Sequence, residues 1–96
     1  MHPVAIGEKN MVSFEYTITN PSGIHARPAG DISRAAQSYD SMITITNEKG
    51  DSCPLDHLLS LLLLGVKCGE KVIVSAEGSD EEKAIEKLRR LFEEKL

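Results

Sequence analysis

The stretch MVSFEYTITNPSGIHARPAG, residues 11 to 30, contains a strand, a turn and the beginning of a helix. In its first part every second residue is apolar: Val12, Phe14, Tyr16 and Ile18. This alternation is typical of a strand with one buried face. The letters NPSG then end the alternation with turn-forming residues. From Ala26 to about Tyr39 apolar residues recur at helical spacing, which predicts an amphipathic helix.

Two further strands and a short helix are predicted in the middle of the chain. SMITITN, residues 41 to 47, is a second strand, and a short third strand is expected around DSCPL, residues 51 to 55. Pro54 confines that third strand to an edge or a strand end. DHLLSLLLLG, residues 56 to 65, predicts a short helix with Asp56 or His57 near its N-cap and Gly65 at its end.

The C-terminal part predicts one more strand and one more helix. EKVIVSAEG, residues 70 to 78, is the fourth strand. Residues 79 to 82, SDEE, have the pattern of a capping box at the start of the last helix. The apolar residues expected to face inward from this helix are Ala84, Ile85, Leu88, Leu91 and Phe92.

The predicted element order is β-α-β-β-α-β-α, which indicates an α+β fold in two layers. Helices would cover one face of a mostly antiparallel sheet, and the other face would be exposed to water. With 96 residues in total, we expect an N-terminal leader over residues 1–10 and a single domain over residues 11–96.

Composition argues against several classes of function. The net charge is −4 and the basic residues form no dense stripe, so nucleic acid is not an expected partner. The longest apolar run, LLSLLLLGV, is about half of the ~20 residues that a membrane-spanning helix needs. With no signal peptide recognised, we expect a cytoplasmic protein with Cys53 and Cys68 as reduced thiols. No metal-ligand cluster or Gly-rich phosphate loop is present, so no cofactor or metal is predicted.

His25 is predicted to lie immediately before the first helical residue. There the backbone N–H groups of Ala26 and Arg27 have no partner within the helix. The partial positive charge of this helix end favours a neutral, nucleophilic imidazole and attracts anions, phosphate in particular. Arg27 adds a permanent positive charge, and Gly23 keeps the approach open. The residues suit a histidine that accepts a phosphoryl group and releases it, although a capping histidine beside a surface arginine would show the same spacing.

SGIHARPA, residues 22 to 29, resembles the active-site signature of the HPr family of histidine-containing phosphocarriers in the phosphoenolpyruvate:sugar phosphotransferase system. LLLLGVKCGEKVIVSAEGSDEEKAIEKL resembles the second half of that family, so the resemblance covers about residues 12 to 94. It implies an HPr-like open-faced β-sandwich, with a four-stranded antiparallel sheet and three helices on one face. It also implies a monomeric carrier for sugar transport rather than a complete enzyme.

The resemblance implies roles for individual residues. His25 would be phosphorylated at Nδ1 by enzyme I at the expense of phosphoenolpyruvate, and would pass the phosphoryl group to a sugar-specific enzyme IIA. Arg27 would stabilise the phosphoryl group, and Ser22 and Ala26 would line the phosphate site. Pro28 would fix the first helical turn.

The resemblance also implies a hydrophobic docking surface for partners around His25, partly on the short leucine-rich helix. We expect Leu61 and Leu64 to face the core. The predicted docking residues are Ala26, Gly30, Leu58, Leu59 and Leu62. Exposed leucines of this kind mark partner sites, although all of the leucines would be buried if a loop covered them.

The sequence departs from the family pattern at the start of the leucine-rich helix. Some members have a regulatory serine there, whereas this chain has His57 preceded by Asp56. Asp56 is either a fixed negative charge that imitates a phosphorylated serine, or a cap or solvated acid. Gly30 and Asp31 also alter the expected docking surface. Three alternatives to a carrier for sugar transport therefore stay open. They are an HPr-like regulatory module that docks a regulatory protein or a metabolic enzyme, a carrier in a specialised relay, and an unrelated α+β domain.

Overall fold

The structure is a computed structural model that describes residues 11–96, so the predicted leader, residues 1–10, lies outside the described residues. Seven elements follow in the predicted order β-α-β-β-α-β-α. The strands are β1 (Met11–Thr17), β2 (Met42–Thr46), β3 (Ser52–Pro54) and β4 (Lys71–Glu77). The helices are α1 (Ala26–Gln37), α2 (Leu58–Leu63) and α3 (Glu81–Lys95).

The four strands form one antiparallel sheet with the spatial order β1-β4-β2-β3. β4 lies in the centre and pairs with both β1 and β2, so that Val74 is opposite Phe14 on one side and Ile45 on the other. β3 is short and lies at the edge, where the missing N–H of Pro54 costs no sheet hydrogen bond. The predicted fold class is confirmed.

The helices cover one face of the sheet. Val72, Val74 and Ala76 of β4 point into the core, whereas Ile73 between them is 46% exposed on the other face. The ring of Phe92 in α3 lies edge-on to the rings of Phe14 and Tyr16, with centroid distances of 5.4 and 5.7 Å. α1 packs against α3 and α2, which completes the helical layer. The open, water-facing side of the sheet follows from the strict alternation in the strands.

The capping box predicted at residues 79 to 82 is wrong. The N-cap of α3 is Asp80, and its carboxylate does not cap the helix. Instead the carboxylate accepts the backbone N–H groups of Asp40 (2.8 Å) and Ser41 (2.9 Å) together with the Ser41 hydroxyl. The helix end is stabilised by Glu81, whose Oε1 accepts the N–H of Gly78 at 2.9 Å. Asp80 thus connects the start of α3 to the start of β2.

Within residues 11–96, no helix is long and apolar enough to cross a membrane.

Candidate functional site

His25 is the N-cap residue of α1 and its imidazole is not used for capping. The backbone at His25 is extended (φ −128°, ψ 177°), and its carbonyl accepts the N–H of Ala29 at 2.9 Å. The half-buried side chain makes no capping hydrogen bond. Because other N-cap side chains usually satisfy the first N–H groups of a helix, this arrangement leaves the ring available for chemistry.

The first turn of α1 presents free donors beside the imidazole. In the part of the chain that the structure describes, the N–H groups of Ala26 and Arg27 have no acceptor. Pro28 is buried and lacks an N–H, as is common in a first helical turn. The unpaired N–H groups carry the partial positive charge of the helix end. This end of α1 therefore suits an anion bound to His25.

A shallow depression of about 220 Å³ lies in front of the helix start. It is lined by Asn20, His25, Arg27, Pro28, Asp31 and Lys95. The depression is open to solvent and large enough to accept a phosphoryl group. Arg27 is exposed and forms no ion pair with any carboxylate of residues 11–96, which leaves its guanidinium free for such a group.

The loop before His25 is fixed by a close backbone approach at Gly23. Gly23 has φ +68°, a backbone conformation that residues other than glycine rarely adopt. A Cβ atom there would lie 2.5 Å from the carbonyl oxygen of Val66 and 2.9 Å from Cα of Lys67. The same Val66 oxygen accepts the N–H of Ile24 at 3.0 Å. Only glycine lets the loop approach so closely that Ile24 is held and His25 is placed at the helix start.

The C-terminal end of α3 is attached to the other end of this loop. The backbone oxygen of Leu96 accepts the N–H groups of Thr19 (2.6 Å) and Asn20 (2.7 Å). The Asn20 side-chain amide donates to the carbonyl oxygen of Lys95 at 3.0 Å. These bonds bring Lys95 to the depression that holds His25, although 70 residues separate the two in the chain.

Asp31 forms two ion pairs at the rim of the depression. One carboxylate oxygen, Oδ1, lies 2.6 Å from Nη2 of Arg34, one helical turn further along α1. The other, Oδ2, lies 3.3 Å from Nζ of Lys95. The carboxylate is thus shared between two cations, and Arg27 is not one of them.

The other residues predicted for the phosphate site lie next to the depression. Ser22 is exposed in the turn before His25, and its N–H donates to Oδ1 of Asn20 at 2.9 Å. Ala26 is exposed at the first helical position. Neither side chain is among those that line the depression. Gly30 lies on the next turn, where an added Cβ would meet only the Arg34 side chain at 3.9 Å.

The prediction for the leucine-rich helix is partly wrong. Leu61 is buried and Leu64 packs against the core as expected, while Leu58 (39%) and Leu59 (62%) are exposed. Leu62, however, is half-buried against the core, and its exposed counterpart is Leu63 at 77%. The reason is the phase of the helix: its buried direction is centred on Leu61, which has Leu58 and Leu62 on one flank and Leu64 on the other.

We call Leu58, Leu59 and Leu63 the leucine patch. The hydrogen bond from Ile24 to Val66 connects the segment after α2 to the residue before His25.

His57, not Asp56, is the N-cap of α2. Its Nδ1 accepts the N–H of Ser60 at 3.4 Å and lies 2.7 Å from the Ser60 hydroxyl oxygen. Asp56 is exposed, and its carbonyl oxygen accepts an N–H of the Gln37 side chain at 3.0 Å. A capping role for the Asp56 carboxylate is therefore wrong. Its exposure fits both a solvated acid and a fixed negative charge at the start of α2.

The cysteines and the acidic side chains of residues 11–96 do not form a second site. Cys53 and Cys68 are free thiols, and burial raises the pKa of the Cys53 thiol. Among residues 11–96, no three His, Cys, Asp or Glu side chains are grouped so that they could hold a metal ion.

Three residues of the depression were not predicted as site residues: Asn20, Asp31 and Lys95. Asp31 carried a signal, since an acid takes the place of an apolar residue near the start of α1. Asn20 and Lys95 carried none, because only the packing of the end of α3 against the loop brings them to the histidine.

Fold and site together define a small phosphocarrier domain. Residues 12–94 match the family described as the PTS HPr component phosphorylation site, and the chain belongs to this HPr family of the phosphotransferase system. The HPr protein of Mycoplasma pneumoniae is similar, with 30% identity over 83 residues that cover 86% of this chain and 94% of that protein.

Solved structures give the same result. The histidine-containing phosphocarrier protein of a Mycoplasma has a TM-score of 0.84 at 26% identity, and covers 86% of this chain and 93% of that one. HPr-C-His from Thermoanaerobacter tengcongensis has a TM-score of 0.80 at 34% identity, with 85% and 91% covered. The predicted family is confirmed, and so is the role of phosphocarrier rather than enzyme.

The domain also resembles a small part of longer proteins. The multiphosphoryl transfer protein of Xanthomonas campestris is 36% identical over 81 residues, which are 83% of this chain but 9% of that protein.

Proposed function

We propose that the chain accepts a phosphoryl group on His25 from enzyme I and passes it to a sugar-specific enzyme IIA, as a monomer in the cytoplasm. The observation that carries this proposal is the state of His25: it caps α1 with its backbone only, and its ring faces the same depression as the unpaired Arg27. A histidine needed only for capping would use its ring on the helix, as His57 does on α2.

The chemistry requires two transfers at one ring nitrogen, Nδ1 by the family resemblance. A neutral imidazole nitrogen supplies the electron pair of a new N–P bond while the bond from phosphorus to the donor group of enzyme I breaks. In the second transfer, the acceptor group of enzyme IIA attacks phosphorus and the N–P bond returns its electron pair to the ring. No group other than the phosphoryl moves between the proteins.

Arg27 and the first turn of α1 would stabilise the negative charge in both transfers. The guanidinium offers a planar set of donors to phosphoryl oxygens, and the N–H groups of Ala26 and Arg27 point outward at the positive end of the helix. Ser22 and Ala26, exposed beside His25, would complete the phosphate site. Because the depression is shallow and open to solvent, the group is held loosely enough to be passed on.

The leucine patch would be the docking surface, together with Ala26 and Gly30. Its leucines are exposed although they are apolar, and an apolar surface of this kind is stabilised by covering it with a partner. Ala26 has a small side chain and Gly30 has none, so a partner can approach the first turns of α1 closely.

A regulatory docking role is the second candidate. The observation that favours it is the charged rim on α1, where Asp31 pairs with Arg34 and Lys95 beside the expected docking surface. A partner chosen by this rim would differ from a standard enzyme IIA. In that case His25 would be phosphorylated, but the group would not be passed to any enzyme IIA.

The test is phosphorylation of the purified chain by enzyme I and labelled phosphoenolpyruvate at neutral pH. We expect an acid-labile label on the wild type and on His57→Ala, and none on His25→Ala. Addition of a cognate enzyme IIA should then remove the label from the chain. An unlabelled wild type with a competent enzyme I, or a labelled His25→Ala variant, would overturn the proposal.

A further inference from the structure

We propose that Lys95 is a second cation for the phosphoryl group on His25, held at the rim by Asp31 until the group arrives. This inference rests on the proposed function, because it concerns the phosphorylated state of the same site. It assigns Lys95 a phosphate-binding role from the end of α3, in addition to that of Arg27 on the first turn of α1.

The first observation is the placement of Lys95. Lys95 is one of the residues that line the depression together with His25 and Arg27, and its side chain is 34% exposed. Its backbone is fixed, because the Asn20 amide binds its carbonyl oxygen and the next residue, Leu96, binds the N–H groups of Thr19 and Asn20. With the backbone fixed in this way and Nζ at Asp31, which lines the same depression, rotation of the flexible Lys95 side chain would bring its ammonium group towards His25.

The second observation is the way in which Asp31 is shared. Lys95 uses Oδ2 at 3.3 Å, whereas Arg34 uses Oδ1 at 2.6 Å. If Lys95 leaves, the Asp31 carboxylate still has Arg34 as a partner on the same helix. The release of Lys95 therefore leaves no unpaired carboxylate.

Charge decides which partner Lys95 prefers. The Asp31 carboxylate has a charge of −1 that Arg34 already compensates, and ion pairs between partly exposed side chains contribute little. A phosphoryl group at neutral pH has a charge of about −1.5 to −2 and three acceptor oxygens. Lys95 consequently moves from Asp31 to the phosphoryl group when His25 is phosphorylated.

A nearby cation has a measurable effect on the phosphohistidine. It disfavours uptake of a further proton and so lowers the pKa of the phosphorylated imidazole ring. The ³¹P chemical shift of the phosphorylated chain, followed at neutral to alkaline pH where the N–P bond survives, reports this pKa. A purely structural role of Lys95 at the end of α3 would not change it.

The experiment compares Lys95→Gln with Lys83→Gln, which removes the same charge from the other end of the same helix. Two separate samples of each protein are phosphorylated, one through enzyme I and one chemically with phosphoramidate. The ³¹P signal that is missing from His25→Ala is assigned to His25. In Lys95→Gln we expect the pKa of the phosphohistidine to rise by at least about 0.5 unit relative to wild type. In Lys83→Gln we expect no change.

Asp31→Asn is the second variant. Because Lys95 already leaves Asp31 for the phosphoryl group in the phosphorylated wild type, the effect of Lys95→Gln on the pKa should persist in the Asp31→Asn background. Loss of the Lys95→Gln effect in that background, or equal pKa values in Lys95→Gln and Lys83→Gln, would overturn the inference.

The two ways of phosphorylation separate this inference from the proposed function. If enzyme I does not phosphorylate the chain but the phosphoramidate product shows the Lys95 effect, the proposed relay fails and the second cation stands. If enzyme I phosphorylates His25 and Lys95→Gln leaves the pKa unchanged, the relay stands and the second cation fails.

Discussion

Replacement of Gly23 by alanine tests whether the close approach in front of His25 requires glycine. Gly23 has φ +68°, and an added Cβ would lie 2.5 Å from the Val66 oxygen and 2.9 Å from Cα of Lys67. Both are backbone atoms that cannot rotate away. The left-handed conformation alone costs a side chain about 1–2 kcal/mol, and the overpacking adds about 1–3 kcal/mol. We therefore expect Gly23→Ala to lower the free energy of unfolding by about 2–5 kcal/mol.

Gly65 provides the matched control for this prediction. It has nearly the same conformation, φ +67°, but an added Cβ would come no closer than 3.9 Å to the Leu63 oxygen. Gly65→Ala should thus cost only the conformational contribution, about 1–2 kcal/mol. The difference between the two variants isolates the close approach.

Urea unfolding of wild type and both variants measures the two free energies, with the slope m as a check on two-state behaviour. Enzyme I phosphorylation should slow more in Gly23→Ala than in Gly65→Ala, because the bond from Ile24 N–H to the Val66 oxygen must lengthen before the new methyl group fits. Equal losses of stability in the two variants would refute the reasoning, since they would show that the loop shifts without cost.

Three further predictions concern stability and docking. The pKa of the Asp80 carboxyl is lowered, mainly by the Ser41 hydroxyl and then by backbone N–H groups. The ionised carboxylate therefore contributes fully to the stability of the fold above the ordinary Asp pKa of about 3.9. This contribution is lost as pH falls through the lower pKa of the folded state. Asp80→Asn should accordingly be less stable than wild type at neutral pH, and urea midpoints of the two should converge in strong acid. Leu61→Ala should lose about 2–5 kcal/mol of stability, because Leu61 is buried. Leu63→Ala should lose under about 0.5 kcal/mol but raise the KM of enzyme I for the chain. An unchanged KM would argue against the leucine patch as the docking surface. His57→Ala should lose about 1 kcal/mol with its cap and keep its phosphorylation rate, which thermal unfolding and labelling would check.

The element order and the sheet faces were predictable because the periodicities are strong. The alternation from Val12 to Ile18 and that of β4 fix which strand face is buried, and the observed burial follows both patterns. Pro54 correctly indicated an edge strand. Local patterns suffice here because a strand buried on one face leaves only one acceptable orientation.

The leucine-rich helix shows why periodicity can fail. Five of its six residues are leucine, so the sequence contains no polar stripe that would mark the exposed side. The exposed position is Leu63 instead of Leu62, and only packing around Leu61 decides between the two. In the same way, the carboxylate of Asp80 binds residues 40 and 41 rather than its own helix, a long-range choice that the local letters do not reveal.

Only the part of the site that is formed by neighbouring residues in the sequence was predictable. His25, Arg27 and the free helix start lie within a few residues of each other, and the HPr-like motif indicated their chemistry. Asn20 is 75 residues from Lys95, the residue that its side chain binds, and no pattern in the chain relates the two. Only the packing of the end of α3 against the loop brings Lys95 to the site.

The measurement that tests the central claim most directly is NMR of the histidine rings during phosphorylation by enzyme I. Long-range ¹H–¹⁵N spectra of the ¹⁵N-labelled chain separate the His25 ring from the His57 ring and identify the nitrogen that is modified. We expect His25 to become phosphorylated at Nδ1, His57 to keep its signals, and enzyme IIA to restore the original His25 spectrum. Phosphorylation of His57, or unchanged His25 signals with a competent enzyme I, would contradict the proposed function.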